Sequence, residues 1–448
     1  MKILITTDWY EPVINGVVTS VLTLKKELTR KGHEVRVVTL SERGHSYKEE
    51  DVYYMRSVDI SRIYPGARAV CFPGSRLYEE LIAWQPDIIH SQCEFSSFLV
   101  ARKIAAQLGI PIVHTYHTVY EDYTHYFSAG RPWGKQAAAW FSRFILEKTD
   151  FVIAPTQKVK GILNSYGVDR PVAVIPTGIR LERFLPVSWE AVERDRREIR
   201  EKYGIEEGKK VLLVLGRLAK EKNIEEIITY FGRMNRDDME LLIVGDGPCR
   251  KELEQLSDEQ KNSVRIHFTG MASPDETAAY YRAADLFVSA SQSETQGITY
   301  LEALASGLPV LCRKDPCVEG IVKNKENGYQ YETFEEFSEA CLKVTGDVDW
   351  KNFLSAGAVR TGLDFGARQF GDKVCAVYQA ALAGRRSRIR IGFKGRWPHK
   401  RTEDFGNGTA FMRAVPFFHT PGQPESYFRP IPLLSLLVYN RDNERSGI

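Results

Sequence analysis

Short runs of β-forming residues alternate with helical patterns along nearly the whole chain, and this alternation restricts the possible folds more than any other feature. Strands separated by a helix's length of chain pair in parallel, through crossovers that lay helices over both faces of a sheet. A first series of strands is expected at Ile3–Thr6, Val35–Leu40, Ile88–His90, Ile112–Tyr116 and Phe151–Ala154. A loop through Asn15 and Gly16 and a helix from about Val18 to Lys31 join its first two members. A second series follows Ile175-Pro176-Thr177-Gly178-Ile179, at Val211–Leu215, Glu240–Val244, Ile266–Thr269, Leu286–Ser289 and Val310–Leu311.

At 448 residues the chain exceeds one ordinary domain. A charged stretch from Trp189 to Lys210 reads as a solvated helix and turn between the two series, and places the boundary within residues 176–208. The division taken is an N-terminal domain over 1–180, a C-terminal domain over 181–365, a returning helix over 366–384 and a tail over 385–448. From Trp350 to Leu382 the pattern is helical, with Phe365, Phe370, Val374, Tyr378, Ala381 and Leu382 as apolar positions.

The apolar fraction of 43% and charged fraction of 27% suit a soluble globular protein, and a net charge of +3 points to no partner by itself. Seven scattered cysteines, with no zinc-ribbon spacing, read as reduced, buried thiols of a cytosolic protein. Met1-Lys2-Ile3-Leu4-Ile5-Thr6-Thr7-Asp8 turns polar too soon for a signal peptide. The apolar run Ile431–Tyr439 is too short to span a bilayer and contains Pro432, so any membrane contact is expected to be peripheral.

The chemistry concentrates at Ser293-Glu294-Thr295-Gln296-Gly297-Ile298-Thr299-Tyr300-Leu301-Glu302. A helix is expected from about Gly297 to Ser306, stopped by Gly307 and Pro309, with Ile298, Leu301 and Ala305 as its buried face. Its positive end can hold a phosphate, and the flanking Glu294 and Glu302 can accept hydrogen bonds from sugar hydroxyls. That combination suits a sugar nucleotide. Upstream, Gly216-Arg217-Leu218-Ala219-Lys220-Glu221-Lys222 follows a strand, and Asn223 with Glu226 reads as a capping-box-like helix start. Two cations beside a helix N-terminus make a diphosphate clamp.

These segments resemble family four of the retaining glycosyltransferases with the GT-B fold. The stretch from Glu294 to Glu302 resembles their Glu-x7-Glu motif, in the form found in the branch of bacterial enzymes that glucosylate diacylglycerol. The resemblance covers roughly residues 1–384. It implies two Rossmann-like, doubly wound α/β domains facing a cleft, with the last helices crossing back to the first domain. It also implies UDP-glucose as donor, diacylglycerol as acceptor, retention of the α configuration, and reaction on the face of the leaving phosphate.

Residue by residue, the resemblance assigns Arg217 and Lys222 to the departing diphosphate, Glu294 to the hexose and Glu302 to the ribose. Gln296, Gly297 and Ile298 then line the donor site, Gly16 approaches the donor phosphate or reacting sugar, and Gly270 receives the base through its backbone. His117, in His114-Thr115-Tyr116-His117-Thr118, matches a cleft histidine near acceptor and donor sugar, against the alternative of a satisfied core histidine. Two histidines three apart on a strand face opposite sides, and no Asp-x-Asp metal site is evident, so neither a bound metal nor a resident cofactor is expected.

For the membrane, residues 131–148 form an amphipathic pattern in which Trp133, Trp140 and neighbouring aromatics share a face near Arg131, Lys135 and Arg143. A helix buried in the first domain explains the aromatics equally well. Arg62 to Arg76 is a second basic segment. Between Arg385 and Arg401 lie eight Lys or Arg, among them Arg386, Arg388 and Arg390, and no acid. That cluster suits anionic lipid headgroups rather than nucleic acid, with a solvated tail as the alternative. A peripheral position on the cytoplasmic face of the membrane follows. The same chemistry on a soluble acceptor, a UDP-sugar epimerase and a non-catalytic membrane-binding protein are the competing readings.

Overall fold

In the computed structural model, residues 1–61, 67–71, 76–123, 133–185, 188–260 and 265–394 are described. The first sheet is built from β1 (Lys2–Thr6), β2 (Glu34–Ser41), β3 (Tyr47–Glu49), β4 (Val52–Asp59), β5 (Arg68–Val70), β6 (Ile88–Ser91), β7 (Ile112–Thr115), β8 (Phe151–Ala154) and β9 (Val172–Val174). Their order is β3-β4-β2-β1-β6-β7-β8-β9, with β5 beside β4. Pairing is parallel except where β3 and β5 meet β4.

A second sheet comprises β10 (Lys210–Leu215), β11 (Met239–Val244), β12 (Ile266–Gly270), β13 (Leu286–Ser289), β14 (Val310–Arg313) and β15 (Gly328–Tyr331). Its order is β12-β11-β10-β13-β14-β15, parallel throughout. Both orders change direction beside their first strand, as doubly wound sheets do, and ligand crevices form at such points outside the strands' carboxyl ends.

The period-two alternation of each strand sends its apolar residues to opposite faces. In the first sheet Ile3, Ile5, Val37 and Ile88 join one core, while Leu4, Val38 and Ile89 join another with Phe98 and Ile104. In the second, Leu212, Ile227, Ile228 and Phe231 pack on one face, and Leu213, Tyr281, Leu301 and Leu304 on the other. Each such fully buried side chain contributes about 1.5–3 kcal/mol relative to exposure.

The helix Ala367–Lys394 lays Phe370, Val374, Tyr378 and Ala381 on the first sheet's core, next to Ile3 and Val21. Its Tyr378 hydroxyl lies 2.7 Å from Nδ1 of the buried His90. The chain therefore crosses twice between the lobes. The crossings run side by side, with Ile179 N donating to Phe365 O and Ala367 N to Ile179 O, both at 2.9 Å.

Two departures from expectation have physical causes. The Trp189–Lys210 stretch contains the helix Trp189–Lys202, but it is not simply solvated. Arg196 and Arg200 reach the buried Asp285 carboxylate at 3.1 and 3.0 Å, joined by Lys351 at 2.9 Å. Asn223 does not cap its helix through a side-chain oxygen, because it adopts a left-handed conformation. Its amide instead donates to Glu226 Oε2 at 3.0 Å, and Glu226 Oε1 accepts from Arg313 and Tyr331. The seven cysteines are free thiols, Cys93, Cys312, Cys317 and Cys341 among them buried.

Candidate active site

The helix Ile298–Ala305 starts at Gly297, whose φ of 72° is left-handed. A Cβ there would sit 2.3 Å from the Tyr300 ring, so both conformation and space require glycine. The helix buries Tyr300, Leu301, Ala303, Leu304 and Ala305, a wider contact than the one face expected, because it is packed inside the second lobe. Its N-terminal end lies against the first lobe, where Thr156 Oγ1 donates to the carbonyl of Thr295 at 2.8 Å. There Ile298 faces the first lobe: a Cβ on Gly16 would lie 3.6 Å from Ile298 Cδ1. Asn15 Oδ1 accepts from Val18 N at 2.9 Å, which starts the Gly16–Arg30 helix at this point.

Glu302, one turn into the helix, accepts from the Tyr281 hydroxyl at 2.9 Å. Burial raises its carboxyl to about 7, against the opposing pull of that hydroxyl and of Arg183 and Arg180. Glu294 pairs with the Lys222 ammonium. Burial works against its ionisation, but Lys222 outweighs it and holds the carboxyl below its usual range. Lys222 ends a short 3₁₀ turn immediately before the Ile224–Met234 helix. The Arg217 side chain, at the end of β10, is exposed and has no hydrogen-bond or ion-pair partner among the described residues. Gly270 closes β12, where its carbonyl accepts from Gly245 N at 2.9 Å.

Gln296 is placed differently from the other donor candidates. Its buried carboxamide accepts from Thr177 N at 2.7 Å and donates to Thr177 O at 2.9 Å, so its side chain joins the two lobes. Any contact it makes with a donor therefore comes from its backbone.

On the first lobe, His117 Nε2 lies 2.7 Å from Gln92 Oε1. Burial, with the nearby His114, lowers its pKa to about 3, which keeps the ring neutral. His114 is buried against Glu94 at 3.2 Å, and Tyr120 donates to the same carboxylate at 2.6 Å. Gln92 and Glu94 escaped sequence reasoning. The usable signal was their place in Ser91-Gln92-Cys93-Glu94, directly at the carboxyl end of β6.

The helix Trp133–Leu146 divides its aromatics. Phe141 and Phe144 pack partly against the first lobe's core, whereas Trp140 is 49% exposed and stacks on Phe144. Lys135 and Arg143 are exposed beside it. Arg385 pairs with Asp150 at 3.2 Å. Arg131, the side chains of Trp133, Arg386, Arg388 and Arg390, and most of the Arg62–Arg76 segment and the tail lie outside the described residues. Among the described residues, no helix is long and apolar enough to cross a membrane.

Residues 14–183 match the model of Glycosyltransferase Family 4, and residues 195–348 that of Glycosyl transferases group 1. The alpha-monoglucosyldiacylglycerol synthase of Streptococcus pneumoniae is 38% identical over 388 residues, 85% of this chain and 86% of the relative. The enzyme of the same name from Acholeplasma laidlawii is 31% identical, over 80% of this chain and 92% of its own. Among solved structures, the sucrose-phosphate synthase of Thermosynechococcus elongatus superposes with a TM-score of 0.68 at 21% identity, covering 86% of this chain and 99% of that one. This last likeness concerns the fold alone.

Proposed function

Because the chain belongs to family four of the glycosyltransferases and is a hexosyltransferase of GT-B fold, we propose that it moves glucose from UDP-glucose to the hydroxyl of diacylglycerol, with retention. The observation that carries this reading is the grouping of Lys222, Glu294 and the Gly297 helix end beside the first lobe, with Arg217 exposed and unpartnered among the described residues. Arg217, Lys222 and the helix amides stabilise charge on the departing diphosphate. Glu294 holds the hexose, Glu302 the ribose hydroxyls, and the Gly270 backbone the base. As the bond from the anomeric carbon to the phosphate oxygen breaks, the acceptor oxygen bonds to that carbon from the same face. The acceptor's proton passes to the departing phosphate oxygen. Neutral His117, held by Gln92, orients the acceptor hydroxyl.

The diacylglycerol acceptor is supported by the two alpha-monoglucosyldiacylglycerol synthases that match most of the chain. Trp140 with Lys135 and Arg143 offers an aromatic and basic surface suited to an anionic bilayer. The reaction is proposed to need no bound metal: chelation should leave turnover unchanged, and activity that returned only with manganese would contradict it. Calorimetric titration tests the donor assignment. The parent should bind UDP-glucose saturably, and Glu302→Gln should weaken it about tenfold, the scale of a hydrogen bond to a charged group. A Glu302→Gln protein that binds like the parent would remove the ribose role.

A further inference from the structure

The loop that carries Glu294 is held from the opposite lobe. Thr156 Oγ1, at the start of the first lobe's Gln157–Ser165 helix, donates to the carbonyl of Thr295 at 2.8 Å. In the first turn of that helix, Lys158 Nζ donates to the carbonyl of Gln292 at 2.9 Å and lies 3.4 Å from the carbonyl of Glu294. The same ammonium meets both oxygens of Asp315 at 2.9 and 3.0 Å. Asp315 in turn accepts from Cys317 N at 2.8 Å, which fixes it to the chain after β14.

The side chains of Lys158 and Asp315 are only 14% and 6% exposed. A lysine ammonium carries three protons and accepts none. Among the described residues its acceptors all belong to the second lobe. Parting the lobes would break all of these contacts at once and return both charges to water, where an ion pair contributes little. The contact is therefore directional. It fixes the backbone on either side of Ser293 and leaves the Glu294 carboxylate turned toward Lys222.

We propose that Lys158 is a positioning residue for the transfer: it clasps residues 292–295 to the first lobe and so sets the Glu294 carboxylate relative to the donor hexose. This rests on the donor reading of Glu294. It follows that the loop takes its productive geometry only while the lobes are together, so hexose alignment and lobe closure become one event. Arg217 and the Gly297 helix end need no such clasp, because their own lobe builds them.

The test uses the full chain with Lys158→Met, Lys158→Arg and Asp315→Asn, each measured for UDP affinity, kcat with UDP-glucose, melting temperature and hydrogen exchange of residues 289–298. Lys158→Met should lower kcat about 100-fold through misalignment, with UDP affinity within about threefold of the parent. Exchange of the loop should rise while the rest of the chain keeps its protection, and Lys158→Arg should recover part of both losses. The double variant Lys158→Met with Asp315→Asn should be no worse than Lys158→Met alone, as expected for partners in one interaction. Unchanged loop exchange in Lys158→Met would overturn the proposal. So would a parallel fall in UDP affinity, kcat and melting temperature, which marks general damage. If the parent itself fails to bind UDP, the donor reading fails, and the exchange comparison still decides whether the clasp exists.

Discussion

The two lobes share a doubly wound sheet but assemble their polar groups in opposite ways. In the second lobe each group stands a few residues beyond a strand end: Arg217 after β10, Glu294 and Gly297 after β13. In the first lobe, the polar pairs join distant segments. His117 meets Gln92 from the neighbouring strand's exit, and Thr177 meets Gln296 from the other lobe. Local strand-to-helix connections therefore place Arg217 and the Gly297 helix start, while tertiary packing sets the His117–Gln92 pair and the Glu294 loop. Substitutions in exposed donor groups should remove chemistry and spare the fold. Substitutions in pairs packed within one lobe should lower stability as well.

The largest effect expected on the fold lies at Asp285, where one carboxylate holds Arg196, Arg200 and Lys351. Asp285→Ala leaves these cations unpaired and should cost about 3–5 kcal/mol in denaturant unfolding. Burial opposes ionisation of Asp285, but Lys351 and Arg196 prevail and hold it at about 2. Because the folded value lies below the ordinary 3.8, its contribution is full above that pH and fades as pH falls toward 2. A parent and Asp285→Ala protein of equal stability at neutral pH would show that the second lobe does not depend on this staple.

Arg217→Ala provides the contrast, since its side chain is exposed and unpartnered among the described residues. It should lower kcat by about 10²–10³, with an unchanged melting temperature. Near-normal turnover would remove Arg217 from the clamp. A smaller, pH-dependent effect is expected at Glu302, raised to about 7 by burial. Only the carboxylate accepts from two ribose hydroxyls, so UDP-glucose affinity should rise as pH increases through 7, and Glu302→Gln should flatten that rise. His117, near 3, should add no inflection to that curve. The smallest effect belongs to Trp140, where Trp140→Ala should weaken binding to anionic vesicles about threefold to tenfold. No change in vesicle binding would assign that tryptophan to packing on Phe144 instead.

The same contrast governs what could be read from the residues alone. Ten strands were legible, nine of them central and the edge strand β12 the tenth, because parallel strands covered by helices are short apolar runs. The five others, β3, β4, β5, β9 and β15, lie toward the edges, where Tyr47–Glu49 is largely solvent-facing and carries no such run. The Glu294–Glu302 stretch was legible since its spacing and glycine are local. That Gln296 turns away to Thr177 was not, because the partner lies 119 positions distant. Asp285 and Lys158 were hidden for the same reason: their partners come from elsewhere in the chain. The Trp133–Leu146 helix divides its aromatics between core and surface, a distinction periodicity alone does not make.

The most direct test of the account is to incubate the purified chain with labelled UDP-glucose and vesicles of diacylglycerol plus an anionic lipid, then analyse the organic phase. The account predicts a labelled α-glucolipid that is absent when diacylglycerol is omitted, with UDP released in equal amount. UDP-glucose that binds, or is converted, without any label reaching the lipid would contradict it.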